Sequence, residues 1–416
     1  MGADHEDPEA YKPGGLHPVH LGDKFSNDRY TVVHKLGHGA TSTVWLVSDA
    51  QTNAYASLKL LSASKTATEL PVLQHLRSSY DPAKPGSQHV AQILDHFVHE
   101  GPNGRHQCLV GEVFGPNFSV SNTEWLHDLW DDGRLPSEIV HRICGQLAVA
   151  VAYLHKRGVA HGDLNPGNVL LSLPRSWTSK ADLDAMYGDA RLWTRDLPSD
   201  GKKQPGSAQR PKYLVVGLNT NPELLRVCLQ EPNIKLCDFS ESYIPSLPDP
   251  PRVATPHFCR PPEALLAVCP HATPELDIWA LGVMFFYLIS GAALFLDHRG
   301  DDGQLQQMVL WLGPFPEPLW SKWEKRVEFF DEAGTPLDSQ RIRNTRYSLL
   351  FAVDYALPPN SPQRELFEAL LRRMVCYDVP SRIHAEGVVE STWFKEHCEP
   401  NMGYGDKYVV EWMHDI

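Results

Sequence analysis

The chain has 416 residues, 42% of them hydrophobic and 21% charged, with a formal net charge of -13. That length allows two or three folding units with ample core, and the balance is that of an ordinary soluble globular protein. The acidic total speaks against non-specific nucleic-acid binding and suits a basic partner. Eight cysteines occur with no C-x-x-C pair and no apolar N-terminal signal, so free thiols in a reducing compartment are expected. The longest apolar run, Ile278 to Ile289, is too short to span a membrane and reads as a buried helix.

In chain order, residues 1 to about 10 are polar and acidic and are expected to be disordered. A Gly/Pro-punctuated arm from Tyr11 to Asp23 follows. Tyr30 to Leu36 has strand character and ends at Gly37-His-Gly39; Thr43 to Val47 resumes it. Strand, glycine turn and strand predict a hairpin whose tip can approach phosphates, because glycine lacks Cβ and leaves backbone N–H groups accessible. Against the pattern G-x-G-x-x-G-x-V, Ser42 stands at the third glycine and Val44 at the valine. The next strand, Tyr55 to Leu61, carries Lys59 in an apolar setting. Lysine is rarely buried unless paired. Glu69, opening a helix through Leu70, Leu73 and Leu76, is the candidate partner, with Pro71 tolerable in the first turn; taken alone, Lys59 equally fits a lysine that snorkels at a strand edge. Val90 to Phe97 and Gln107 to Val113 read as two more strands, and Val110 to Pro116 as a hinge.

Ser137 to Lys156 carries a helical stripe at Ile139, Ile143, Leu147, Val151 and Leu154. Behind it comes His161-Gly-Asp-Leu-Asn-Pro-Gly-Asn-Val-Leu170, a polar loop clamped between apolar ends. Asp163 and Asn168 lie five positions apart. A phosphoryl-transfer site needs this pair, a base beside the attacking hydroxyl and an oxygen ligand for magnesium. The pattern H-x-D-x-x-x-x-N alone also fits small-molecule kinases. From about 173 to 232 the sequence is loop-like and reads as an insertion. Ile234 to Ser240 re-enters the core and delivers Asp238 followed by an aromatic, in the manner of D-F-G. Ser240 replaces the glycine, which restricts φ > 0 there. Pro262-Glu263 ends an A-P-E-like segment, Asp277-Ile-Trp-Ala-Leu-Gly282 opens the most apolar helix, and the stretch Arg372 to Arg382 offers an arginine for Glu263. These later features are foreign to small-molecule kinases.

With them the chain resembles eukaryotic protein kinases, and more narrowly the serine/arginine-rich protein kinases in their divergent fungal form. The narrower likeness rests on Gly14 to Asp23, on Leu36-Gly-His-Gly…Ser-Thr-Val-Trp-Leu46 and on Pro211-Lys-Tyr-Leu-Val215, and covers about residues 14 to 395. It implies an α+β bilobal kinase fold: a disordered tail (1–13), a small five-stranded antiparallel lobe with one helix (14–115), a large mainly helical lobe (116–398, with the insertion) and a C-terminal tail (399–416). It implies ATP and Mg2+, with Lys59 holding phosphates and Glu69 orienting it. Asp163 would accept the substrate hydroxyl's proton, and Asn168 and Asp238 would bind magnesium. Gly37, Gly39, Ser42, Val44, Ala56, Glu112 and Phe114 would surround the nucleotide, the last two through backbone groups on the adenine edge. Gly111 would leave an open rear cavity.

Asn165 stands where most such kinases have a lysine contacting the γ-phosphate. Gly162 replaces the arginine that clamps a phosphorylated activation loop, so a phosphate at Thr255 would lack its partner and activity without it is expected. The resemblance implies a protein substrate, an arginine/serine-rich one, docking near Asp297, Asp301 and Asp302. The alternative is that these three form an ordinary solvated acidic loop. No direct nucleic-acid or membrane contact, a monomer, and residence in cytoplasm and nucleus are expected. A pseudokinase scaffold is the rival function, opposed by the retained Lys59, Asp163, Asn168 and Asp238.

Overall fold

Alternation of buried and outward residues, interrupted by register shifts in the second and fifth strands, builds the sheet of the first unit. β1 (Lys24–Phe25), β2 (Tyr30–Gly39), β3 (Ser42–Asp49), β4 (Ala54–Leu61), β5 (Ile93–Gly101) and β6 (Gly104–Gly111) form one antiparallel sheet in the order β1-β2-β3-β4-β6-β5. This is one strand more than expected, because Lys24 and Phe25 pair with Thr31 and Tyr30. Side chains alternate between faces. Trp45, Val47, Ala56, Leu58, Leu60, Cys108 and Val110 form a buried cluster with Val19, Phe25, Tyr30, Val32 and Val215. Toward the other face, Leu70 and Leu73 of α1 (Glu69–Ser78) pack on Leu61, Ile93 and Leu109.

The computed structural model describes residues 5–66, 68–119, 134–174, 194–196, 208–217, 222–247, 251–295, 299–337, 348–358 and 360–403. The chain divides into two units. One comprises Met1–Ser78, Ala91–Pro116 and Leu171–Glu231, the other Ser79–Val90, Asn117–Leu170 and Pro232–Ile416.

Two expectations are corrected in the first unit. Residues 5–10 are ordered, with a one-turn helix at Pro8–Ala10. Glu6 is buried, and its carboxylate accepts from the Tyr11 hydroxyl and the Lys35 ammonium. Lys35 is fully buried, with its ammonium 5.5 Å from the Trp45 ring centre, and a buried lysine demands a counter-charge. The insertion, assigned above to the large lobe, contributes its described residues to this unit instead. Tyr213–Val215 pairs with Thr194–Asp196. Leu214 packs against Tyr11 and Leu16, Val215 joins the sheet cluster, and the Tyr213 hydroxyl accepts from the Leu21 N–H at 3.2 Å. Residues 175–193, 197–207 and 218–221 of the insertion lie outside the described residues, as do 1–4 and 404–416 of the two tails.

The arm from Tyr11 to Asp23 also brings His17 against two cross-strand histidines, His99 and His106, at ring-centre distances of 4.5 and 5.0 Å. Asp23 and His20 are the other charged or titratable groups acting on His17. Burial, then the neighbouring imidazoles, push His17 down to about 3, and burial lowers His99 and His106. These rings are neutral when folded but take protons near pH 6.5 when unfolded, so the unfolded chain binds more protons below that pH. Stability is therefore expected to be full above about pH 6.5 and to fall on acidification, by up to about 1.4 kcal/mol per pH unit for His17 alone. Melting curves from pH 7.5 to 5 test this; His17→Leu should flatten the dependence.

In the second unit, α2 (Ser137–Lys156) buries Ile143, Leu147, Val151 and Leu154. Central to it is α3 (Pro274–Ser290). The Thr273 side chain caps its start and Gly291, at φ 71°, ends it. A Cβ at Gly282 would stand 2.9 Å from that of Met374, so this crossing requires glycine. Met402 of the expected C-terminal tail is buried, and a Cβ at Gly145 of α2 would meet its sulfur; the tail is thus packed as far as Met402. No described helix is long and apolar enough to cross a membrane.

Candidate active site

The sequence-predicted residues fall into two sets, one in each unit. In the first, β2 and β3 join through Ala40 and Thr41, with Gly39 opposite Ser42 and Gly37 opposite Val44. A Cβ at Gly217 would stand 3.6 Å from Cα of Gly37, so the insertion backs the glycine turn. Sequence reasoning missed this, because nothing local links positions 180 residues apart. On β4, Lys59 pairs with Val44 and Leu109 across the sheet and reaches Glu69 of α1, Nζ to Oε1 2.7 Å. The buried Glu69 carboxylate thus receives the cation that the apolar setting of Lys59 called for.

Ala56 is corrected. It points into the sheet cluster with Trp45 and Val110, on the face opposite Lys59. Ser57, two residues before Lys59, shares the lysine's face, and the period of two along the strand was the signal that could have found it. The Ser57 hydroxyl donates to the Glu112 carbonyl at 2.8 Å. Gly111 lies opposite Ser57, and a Cβ there would meet the hydroxyl at 3.2 Å. Phe114 is half-buried at the start of the short strand Phe114–Asn117.

With no side chain at 111, an ATP analogue carrying a benzyl group on the purine N6 is expected to bind comparably to ATP. Gly111→Phe should reject the analogue by about tenfold or more while retaining ATP. Competition binding measures both, and rejection by the unaltered protein counts against the hinge assignment.

In the second unit Asp277, at the start of α3, organises the loop. Its buried carboxylate accepts from the N–H groups of His161 at 2.7 Å and Gly162 at 2.9 Å, and bonds Nε2 of His155 at 2.9 Å. The signal was an acidic residue directly at the head of the longest apolar run, since a buried carboxylate must be satisfied by donors. The His161 ring lies against Phe239 and is kept neutral by burial. Its Nδ1 accepts from the Asp163 N–H and its Nε2 faces the Cys237 carbonyl at 3.1 Å, which assigns the proton to Nε2. Cys237 donates its backbone N–H to the Asn168 carbonyl at 3.0 Å. That bond ties the loop of Asn168 to that of Asp238. Asp238 takes φ 62°, a left-handed conformation rare outside glycine; the strain falls on the acidic residue, not on Ser240.

The Asp163 carboxylate accepts from two amides, Asn168 Nδ2 at 2.9 Å and Asn165 Nδ2 at 3.1 Å. Burial pushes Asp163 up to about 6, the two amides act against the rise, and the charges of Asp238 and Glu241 add to it. Asn168 spends its nitrogen on Asp163, leaving its oxygen for a cation. An amide oxygen and a carboxylate are hard donors of the kind Mg2+ takes alongside phosphate oxygens, so Asn168 and Asp238 fit that ion.

Gly162 has φ 77°, and a Cβ there would lie 2.2 Å from the Glu241 carbonyl, which excludes an arginine at this position. Thr255 is buried, its hydroxyl donating to the Gly162 carbonyl at 3.0 Å. Arg382 Nη1 meets Glu263 Oε1 at 2.8 Å, both groups buried. Asp301 Oδ1 lies 2.6 Å from His257 Nδ1, and Asp302 accepts from Lys325 at 2.7 Å and Trp323 at 2.9 Å. Asp297 lies outside the described residues.

The protein kinase domain profile matches residues 30–181 and 224–394. Protein kinase dsk1 of Schizosaccharomyces pombe is 38% identical over 95% of this chain and 86% of its own length. Serine/threonine-protein kinase SRPK of Physarum polycephalum is 30% identical over 79% of this chain and 77% of its own length. Serine/threonine-protein kinase SKY1 of Saccharomyces cerevisiae is 35% identical over a shorter match, 39% of this chain and 22% of the relative.

Proposed function

Because the chain belongs to the protein kinase family, as a serine/threonine kinase of the serine/arginine-rich protein kinase type, we propose that it phosphorylates serine in basic, arginine/serine-rich proteins and does so without a phosphate on its own activation segment. ATP and Mg2+ are the cosubstrate and metal of the family. Mg2+, when bound, would neutralise the phosphate charge of the nucleotide. Lys59, oriented by Glu69, holds phosphates; Gly37 and Gly39 cover them; Asn168 and Asp238 present oxygens to the metal. Asp163 takes the proton of the attacking serine hydroxyl.

The observation that carries the reading is the half-buried Asp163 carboxylate, held by two side-chain amides, because a base must be fixed before it can orient a hydroxyl. Independence from activation-segment phosphate is supported by Gly162, whose backbone leaves no room for the clamping arginine, and by the buried Thr255 hydroxyl. For substrate choice, Asp301 and Asp302 stand in the first turn of the helix Asp301–Leu312, each beside one cationic or titratable side chain. A peptide guanidinium can exchange for such a surface partner.

A degenerate peptide array tests activity and substrate together. Strong serine phosphorylation in arginine-rich contexts, unchanged after phosphatase treatment of the enzyme, is expected. Activity indifferent to arginine, or lost with the phosphatase, counts against the corresponding part. Asp301→Lys with Asp302→Lys should weaken arginine/serine peptides selectively.

A further inference from the structure

Asn165 occupies the position where most kinases of the resembled class carry a lysine, and its side chain is engaged within the loop instead. Asn165 precedes the one-turn helix Pro166–Asn168, and its Oδ1 accepts from the Gly167 N–H at 2.8 Å. Its Nδ2 reaches back to Asp163, 3.1 Å from the carbonyl and 3.1 Å from Oδ1. Asn168 mirrors it, with Nδ2 2.9 Å from the same carbonyl and 2.9 Å from Oδ2. Each carboxylate oxygen of Asp163 is thus held by a different amide. Gly167 belongs to the same device, since a Cβ there would come within 2.9 Å of Asn165 Oδ1. A lysine at 165 has no acceptor for the Gly167 N–H, and a side chain at 167 would displace the Asn165 amide.

We infer that Asn165 is a positioning residue for the catalytic carboxylate, clamping the plane of Asp163 from the side opposite Asn168, and that Gly167 is its necessary companion. The inference rests on the kinase reading. Two torsions turn the carboxylate of an aspartate, and one amide on each oxygen fixes both against rotation. What the missing lysine would supply as charge is replaced here by orientation.

The test separates the amide's two jobs in the full-length chain. Asn165→Ser keeps a capping oxygen for the Gly167 N–H and loses the donor to Asp163; Asn165→Asp does the same and adds repulsion. Gly167→Ala leaves Asn165 in place but crowds its oxygen. With ATP and an arginine/serine peptide, kcat is expected to fall about tenfold or more in all three. The KM for ATP should stay within about twofold, and the melting temperature of Asn165→Ser should stay close to that of the unaltered chain. Unchanged kcat in both Asn165→Ser and Asn165→Asp overturns the clamp. So does a rate loss that only tracks a lower melting temperature, since that is a cap and nothing more. If the unaltered chain turns over no ATP, the kinase reading itself falls, an outcome distinct from either.

Discussion

Asp163→Ala is expected to abolish peptide phosphorylation, with kcat down by roughly 10²–10⁴-fold, the range for removal of a positioned general base. The loop should survive the change. Asn165 and Asn168 each also bond the Asp163 backbone carbonyl, which alanine retains, and Asp277 still holds the N–H groups of His161 and Gly162. Nucleotide binding should survive too, because none of the residues assigned to phosphates is altered. Transfer of labelled γ-phosphate, set beside ATP binding and a melting curve, checks all three. An alanine variant that transfers phosphate at the normal rate would remove Asp163 from the chemistry.

Arg382→Met should have the largest effect on stability. The guanidinium is fully buried, donates to Glu263, to the carbonyl of Glu275 at 2.8 Å and to that of Cys376 at 2.9 Å, and lies over the Trp279 ring. Removing it strands the Glu263 carboxylate without its counter-charge, which costs about 3–5 kcal/mol for a buried pair. The paired change Glu263→Gln with Arg382→Met removes both charges and should lose less than the sum of the two single changes. Denaturant midpoints measure this. A midpoint for Arg382→Met equal to that of the unaltered chain would show that the pair carries no weight.

What could be read from the sequence was local. The hairpin and the helix Ser137–Lys156 follow from alternation and periodicity, whereas the Lys59–Glu69 pair gains its weight from the motifs further along the chain. The side of a strand was also legible, and was misjudged only at Ala56, where counting by two from Lys59 leads to Ser57. Asp277 was visible as a residue but not as a hub, since its partners lie more than 110 positions earlier. Glu6 looked like one more acid in a polar tail. Only Lys35, turned inward on β2, makes its burial necessary, and no pattern within either segment announces that. The same holds for Leu214 and Val215, apolar residues in a stretch whose composition otherwise reads as loop.

That last packing has a consequence for how the protein is made. The hydrophobic cluster on the sheet includes Val215, and Leu214 packs on the arm at Tyr11 and Leu16, so both clusters are complete only after about a hundred further residues have been translated past β6. Sequence-distant closure of this kind is slow and leaves strands open to wrong partners in the interval. Nascent chains halted near residue 120 should therefore be engaged by chaperones, and those halted well beyond 215 released.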